Sequence, residues 1–224
     1  MMNSRRSGAP RRVDDTGATL HIVCPEGVDQ LGGDELKQCE GWHPARRSEM
    51  GDESTRDRLT VAGSDRTEEL RALMAERILV LDGATGTMLQ AQDLGPDDFG
   101  GPELEGCNEI LVRTRPDVIL DVHRAYLAAG ADIIETDTFG GTPLVLAEYG
   151  LETEARGLNR LAAELAVEAA REVSTPGKPR FVAGSMGPTT TAISVTGGIT
   201  FAELVWTFRE QARGLLQGGA DLLF

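Results

Sequence analysis

Three short stretches hold the residues whose types and spacing could do chemistry: Asp82-Gly83, then Glu135-Thr136-Asp137-Thr138 with Phe139, and Gly184-Ser185. Each closes a run of apolar residues, at 78–81, 133–134 and 181–183, without the polar alternation of a half-exposed strand. Such runs suit strands buried on both faces of a parallel sheet. In parallel α/β folds the loops that follow the strands converge, and ligands bind there. Acids at that end can hold a cationic amine, and glycines let a ligand approach the backbone. The three stretches point to one pocket for a small amino-bearing substrate. Each acid can equally serve as a turn residue or a helix cap.

Other chemistries are poorly served. Gly83-Ala84-Thr85-Gly86 follows a predicted strand but does not continue as Gly-x-Gly-x-x-Gly, and no Gly-x-x-x-x-Gly-Lys occurs. Dinucleotide and P-loop readings therefore lack their phosphate cradle. The loop 186–191 can embrace an anion through its backbone N–H groups, or be only a loop. His123 sits in a predicted helix with no adjoining cysteine or serine to form a dyad, so it is not nominated as a base. Cys107, beside Asn108 in a glycine-rich stretch, could face a ligand but has no local partner. Cys24, Cys39 and His43 lack the close pair and fourth ligand of a metal site.

The formal net charge of -14, most of it after residue 65, excludes nucleic acid and anionic membrane surfaces as natural partners. Three cysteines make no paired framework, which fits a reducing compartment. No apolar run is long enough for a membrane helix or a signal peptide, so a cytoplasmic location is expected.

The elements that must position these residues follow in order. Residues 1–65 are polar and poor in large apolar side chains, and read as a disordered leader. From Thr67, expected as an N-cap, Leu70, Leu73 and Met74 form a helical stripe. Residues 92–114, punctuated by glycine and proline, form a long excursion after the first strand. Pro116 opens a helix over 115–129, with Val118, Val122, Ala125 and Ala129 on one face, and Gly130 stops it. A second helix spans 152–173. Thr200-x-x-Glu203 is a capping box for a third, with Val205, Phe208, Ala212 and Leu215 on its inner face. Gly130-Ala131-Asp132 and Gly219-Ala220-Asp221 are an internal echo: helix stop, acidic turn, buried strand. Strands starting near 78, 131, 180 and 221 make a repeated β/α plan.

Five segments in this order, ILVLDGATGTM at 78–88, GCNEILVRTRPD at 106–117, AGADIIETDTFG at 129–140, VAGSMGPT at 182–189 and GGADLLF at 218–224, carry a resemblance. The chain resembles the homocysteine-binding S-methyltransferase domain, most closely the N-terminal module of the cobalamin-dependent methionine synthases. The resemblance implies an α/β fold in which residues 66–224 are the N-terminal half of a (β/α)8 TIM barrel. It implies homocysteine as substrate, with Asp82 and Gly83 at its amino-acid end, and Glu135, Thr136, Thr138 and Phe139 lining the pocket. Gly184 and Ser185 would contribute from the third strand, and no residue is assigned a catalytic role. In that family zinc holds the homocysteine thiolate and methylcobalamin, recharged from methyltetrahydrofolate, donates the methyl group.

The family's zinc cysteines lie beyond Phe224, so no metal ligand is expected here, and Cys107 matches none of them. Asp137 stands where the family commonly has asparagine. The chain is thus expected to be inactive alone, its partners being the missing barrel half or downstream cobalamin and folate modules. The alternatives are a betaine- or S-methylmethionine-type homocysteine methyltransferase, or a non-catalytic half-barrel that self-associates.

Overall fold

The computed structural model describes residues 65–191, 193 and 198–224. The expected leader, with Cys24, Cys39 and His43, lies outside the described residues apart from Asp65. The elements in chain order are α1 (Thr67–Glu76), the short α2 (Thr85–Gln90), α3 (Pro96–Phe99) and α4 (Leu111–Thr114), α5 (Pro116–Ala129), β1 (Ile133–Glu135), α6 (Pro143–Leu146), α7 (Ala155–Val173), β2 (Phe181–Gly184), α8 (Phe201–Gly218) and β3 (Leu222–Leu223). The strands form one parallel sheet in the order β1-β2-β3, with Ile134 opposite Val182 and Gly184 opposite Leu223. Among the described residues no helix is long and apolar enough to cross a membrane.

The first expected strand is only partly realised. Residues 78–81 run alongside β1 and are joined to it by one parallel bridge, Leu81 to Ile133. Ile78 is 88% and Val80 54% exposed, against the expectation of burial on both faces. Among the described residues nothing pairs with the outer edge of this segment, and an edge strand has only one neighbour to cover it. The observed sheet is therefore smaller than the four-stranded half-barrel that was expected.

The echoed aspartates explain how the strands keep register. The Asp132 N–H donates to the Val80 carbonyl at 2.7 Å, while its carboxylate accepts the Val80 N–H at 3.0 Å. Asp221 repeats the arrangement on Val182, at 2.9 Å for both bonds. A strand that begins with aspartate so grips its neighbour at two points, satisfying backbone groups that a ladder end leaves open. Arg77 forks onto Asp132 with two bonds of 2.8 Å, and Arg66 reaches Asp221 while lying 4.1 Å over the Phe181 ring. Arg77 holds the Asp132 carboxyl down to about 2.

Helix ends follow the sequence in most places. Pro116 starts α5, Gly130 ends it in the left-handed region at φ 112°, and the Thr200–Glu203 capping box opens α8. At α1 the N-cap is Arg66 rather than Thr67, whose N–H is taken by the Asp65 carboxylate. The α1 stripe buries nothing, and Met74 is exposed. Residues 152–154 make a 3-10 turn before α7, whose first buried residue is Ala155.

Two inner faces differ from the apolar spacing. On α5 the buried residues are Val118, Ile119, Val122, His123 and Leu127, while Ala125 and Ala129 are exposed. On α8 they are Thr207, Gln211, Gly214, Leu215, Leu216 and Gly218, and Val205 is exposed. For α8 the reason is its crossing on α7. A Cβ on Gly214 would lie 2.5 Å from the Arg156 carbonyl, and one on Gly218 2.3 Å from that of Arg160, so the glycine face lets the two backbones meet.

The 92–114 excursion is no bare loop. It folds as α3, a 3-10 turn and α4, and contributes Phe99, Cys107, Ile110 and Leu111 to a core shared with α5 and α7. A second core of Ile134, Val182, Ala163, Ala166, Leu215 and Ala220 joins the sheet to α7 and α8.

Candidate functional site

The ends of the 78–81 segment, β1 and β2 are neighbours, so the three polar stretches meet. The Asp82 carboxylate accepts the Glu135 N–H through both oxygens at 3.0 Å, and the Ser185 hydroxyl donates to Glu135 Oε2 at 2.8 Å. Burial foremost, opposed by that N–H and reinforced by the Glu135 charge, pushes the Asp82 carboxyl up to about 7. Gly83 is exposed beside them, and Phe139 projects with 62% of its surface open.

The other predicted residues stand behind this front. Thr138 Oγ1 donates to the Ser185 carbonyl at 2.7 Å, so it must accept the 2.6 Å bond from the Thr136 hydroxyl, which in turn accepts the Ser185 N–H at 3.0 Å. The two threonines close a ring of hydrogen bonds that begins and ends on the Ser185 backbone. They are buried and fix the loops rather than face a ligand. Gly184 is buried too: the place of its missing Cβ is filled by Leu215 and Leu223, which lets α8 settle on the sheet.

Asp137 is buried with Oδ2 unpartnered, and burial together with the Glu109 charge drives its carboxyl well above the ordinary value. Cys107 is fully buried and cannot face a ligand, correcting that expectation. Burial first, then the charge of Glu109, pushes its thiol up to about 12, the reverse of an activated thiolate. Among the described residues no three His, Cys, Asp or Glu side chains are placed to hold a metal. The described residues alone do not make up a set that would hold the zinc ion the resemblance implies.

Three residues that the spacing did not single out anchor the site. Gln211 on α8 donates to the Thr138 carbonyl at 2.7 Å, Asn159 on α7 to the Gly141 carbonyl at 2.6 Å, and Glu109 accepts the Gly140 N–H at 2.6 Å. Asn159 and Gln211 did leave a signal: each is an amide on an otherwise apolar or small-residue helix face, where a buried polar group needs a partner.

Two carboxylates and a hydroxyl converge beyond the strand ends of a parallel α/β sheet, the end at which such folds bind ligands. Residues 79–224 match the homocysteine S-methyltransferase family model, and the chain belongs to that family. It is similar to the homocysteine methyltransferase MmuM from Escherichia coli. With the metallated form it shares 29% identity at a TM-score of 0.55, over 69% of this chain and 55% of that one. With the oxidized form the identity is 30% and the TM-score 0.56, over the same shares. The chain thus spans little more than half the length of these relatives.

Proposed function

We propose that this chain is the homocysteine-binding part of a methyltransferase that forms methionine. The observation that carries the reading is the convergence of Asp82, Glu135 and Ser185 at the strand ends of a chain in this family. The ammonium group of homocysteine would be held between the Asp82 and Glu135 carboxylates, with Ser185 fixing one oxygen of Glu135. Exposed Gly83 leaves the backbone approachable, and the Phe139 ring offers a surface for the methylene groups. In the overall reaction the homocysteine sulfur loses its proton and forms a bond to the methyl carbon as the bond between methyl and donor breaks.

These residues bind and orient; the sulfur chemistry and its zinc are assigned to other parts of a complete methyltransferase. The methyl donor is methylcobalamin in the branch that the sequence motifs most resemble. The similarity to MmuM favours a second reading, a betaine- or S-methylmethionine-type enzyme, in which the same residues hold the same substrate.

Calorimetric titration of the chain with L-homocysteine tests the assignment. Binding is expected, with Asp82→Asn weakening it about tenfold, as for one lost charge-assisted hydrogen bond. Because the Asp82 carboxyl is held up to about 7, its ionised form gains as pH rises, and affinity should increase from about pH 6 to about pH 8. Folding stability has the opposite sign. The folded chain keeps this proton when the unfolded chain has lost it, so stability falls as pH rises from the ordinary carboxyl value to about 7. Absence of binding, or equal affinity in Asp82→Asn, would overturn the reading.

A further inference from the structure

Behind the exposed Phe139 the chain turns through Gly140 and Gly141, and three successive residues there are gripped from different elements. The Phe139 carbonyl accepts the Gly187 N–H at 3.0 Å, the Gly140 N–H goes to Glu109 Oε1, and the Gly141 carbonyl takes the Asn159 amide. The grips are close, and at Gly187 a backbone carbonyl leaves no room for a side chain. A Cβ on Gly140 would lie 2.7 Å from Glu109 Oε1, one on Gly141 2.7 Å from Asn159 Oδ1, and one on Gly187 2.4 Å from the Phe139 carbonyl. Asn159 and Gly187 reach the loop from α7 and from the segment after β2. Glu109 alone comes from the 92–114 excursion, so it ties the loop after the first strand position to the loop after β1.

We propose that Glu109 is a positioning residue for the strand-end pocket, acting through its hold on the Gly140 N–H. A bond of 2.6 Å from an N–H to a carboxylate is at the short, charge-assisted end of the range. The surroundings keep the carboxylate in place. The Cys107 thiol lies 3.9 Å from Glu109 Oε2, and Asp137 is buried near enough for the Glu109 charge to act on it. Burial, and then the Glu109 charge, favour the protonated form of Asp137. With Glu109 in place, Phe139 and the end of β1 keep a fixed relation to Asp82; without it the Gly-Gly turn loses one of its three holds.

The proposal rests on the homocysteine reading for its ligand, but the hydrogen bond can be read separately. Amide exchange at Gly140, followed by NMR on the whole chain, is measured beside homocysteine affinity in Glu109→Ala, Glu109→Gln and Glu109→Asp. Glu109→Ala is expected to speed Gly140 exchange and weaken homocysteine binding, each by about tenfold. Glu109→Gln keeps an oxygen acceptor of the same reach and should restore both to within about twofold of wild type. Glu109→Asp keeps the charge but draws the carboxylate back by one methylene, about 1.5 Å, and should behave like the alanine variant.

Should Glu109→Ala fail to fold, the contrast between the glutamine and aspartate variants decides. Unchanged Gly140 exchange in the aspartate variant, or faster exchange in the glutamine variant, would overturn the role of Glu109. So would unchanged affinity in a variant whose loop is loosened. If wild type binds no homocysteine, it is the substrate reading that fails, while Gly140 exchange still decides whether Glu109 holds the turn.

Discussion

At the scale of single residues, burial sets the chemistry more firmly than residue type does. Cys107 and His123 are reactive side chains by name, yet both are buried where the charged form is penalised. His123 has neither ring nitrogen bonded, and burial pulls it down to about 4. It stays neutral when folded but takes up a proton when unfolded, so stability should fall as pH drops from the ordinary histidine value of about 6.5 to about 4. His123→Leu removes that dependence. Its thermal unfolding midpoint is expected to exceed the wild-type value at pH 5 and to vary less between pH 7 and pH 5, which differential scanning calorimetry reads directly.

Asp82 stands at the other extreme, accessible enough to meet a ligand and buried enough to titrate near neutrality. This is what separates the proposed binding carboxylate from the aspartates at the opposite strand ends. Asp132 and Asp221 have the same side chain, but arginines and backbone N–H groups absorb it into the sheet.

At the scale of elements, the crossing of α7 and α8 is decided by glycines rather than by the apolar stripe. Alanine at an exposed helix position is favoured over glycine by about 1 kcal/mol. At Gly214 and Gly218 the added methyl meets the backbone of α7 at 2.5 and 2.3 Å and cannot be relieved by a rotamer change. Gly214→Ala and Gly218→Ala are therefore each expected to destabilise by roughly 1–3 kcal/mol, the usual cost of overpacking. Urea unfolding of both variants checks it, and a gain in stability in either would mean that the helices separate easily. Because Leu215 fills the space over Gly184, the same crossing bears on the candidate site, and loss of homocysteine affinity should accompany any loosening.

At the scale of the molecule, apolar surface lies open along one edge: Met74 on α1, then Ile78 and Val80 on the segment beside β1. Phe201 and Val205 on α8, and Phe224 after β3, add further exposed apolar side chains. Among the described residues this edge carries both unpaired backbone and apolar side chains, which invites association. Sedimentation velocity should show a mass that rises with concentration, and Ile78→Lys with Val80→Lys should reduce that rise without lowering the melting temperature, since neither side chain is buried.

How much of this was legible in the sequence can be told from particular residues. The apolar runs, Pro116, Gly130, the Thr200–Glu203 box and the repeated Gly-Ala-Asp joints located the helices and the parallel strands, because these signals act through local backbone geometry. The motifs around Asp82, Glu135 and Ser185 carried the family for the same reason, being contiguous in the chain. Other features depend on partners distant in sequence, and no local pattern contains them: the buried polar face of α8, the burial of Cys107, the exposure of Ile78 and Val80, and the reach of Glu109 to Gly140. Sequence alone determined which residues stand at the strand ends. Tertiary packing decided which of them face outward and which are spent holding the others in place, since only packing sets how much water each side chain keeps.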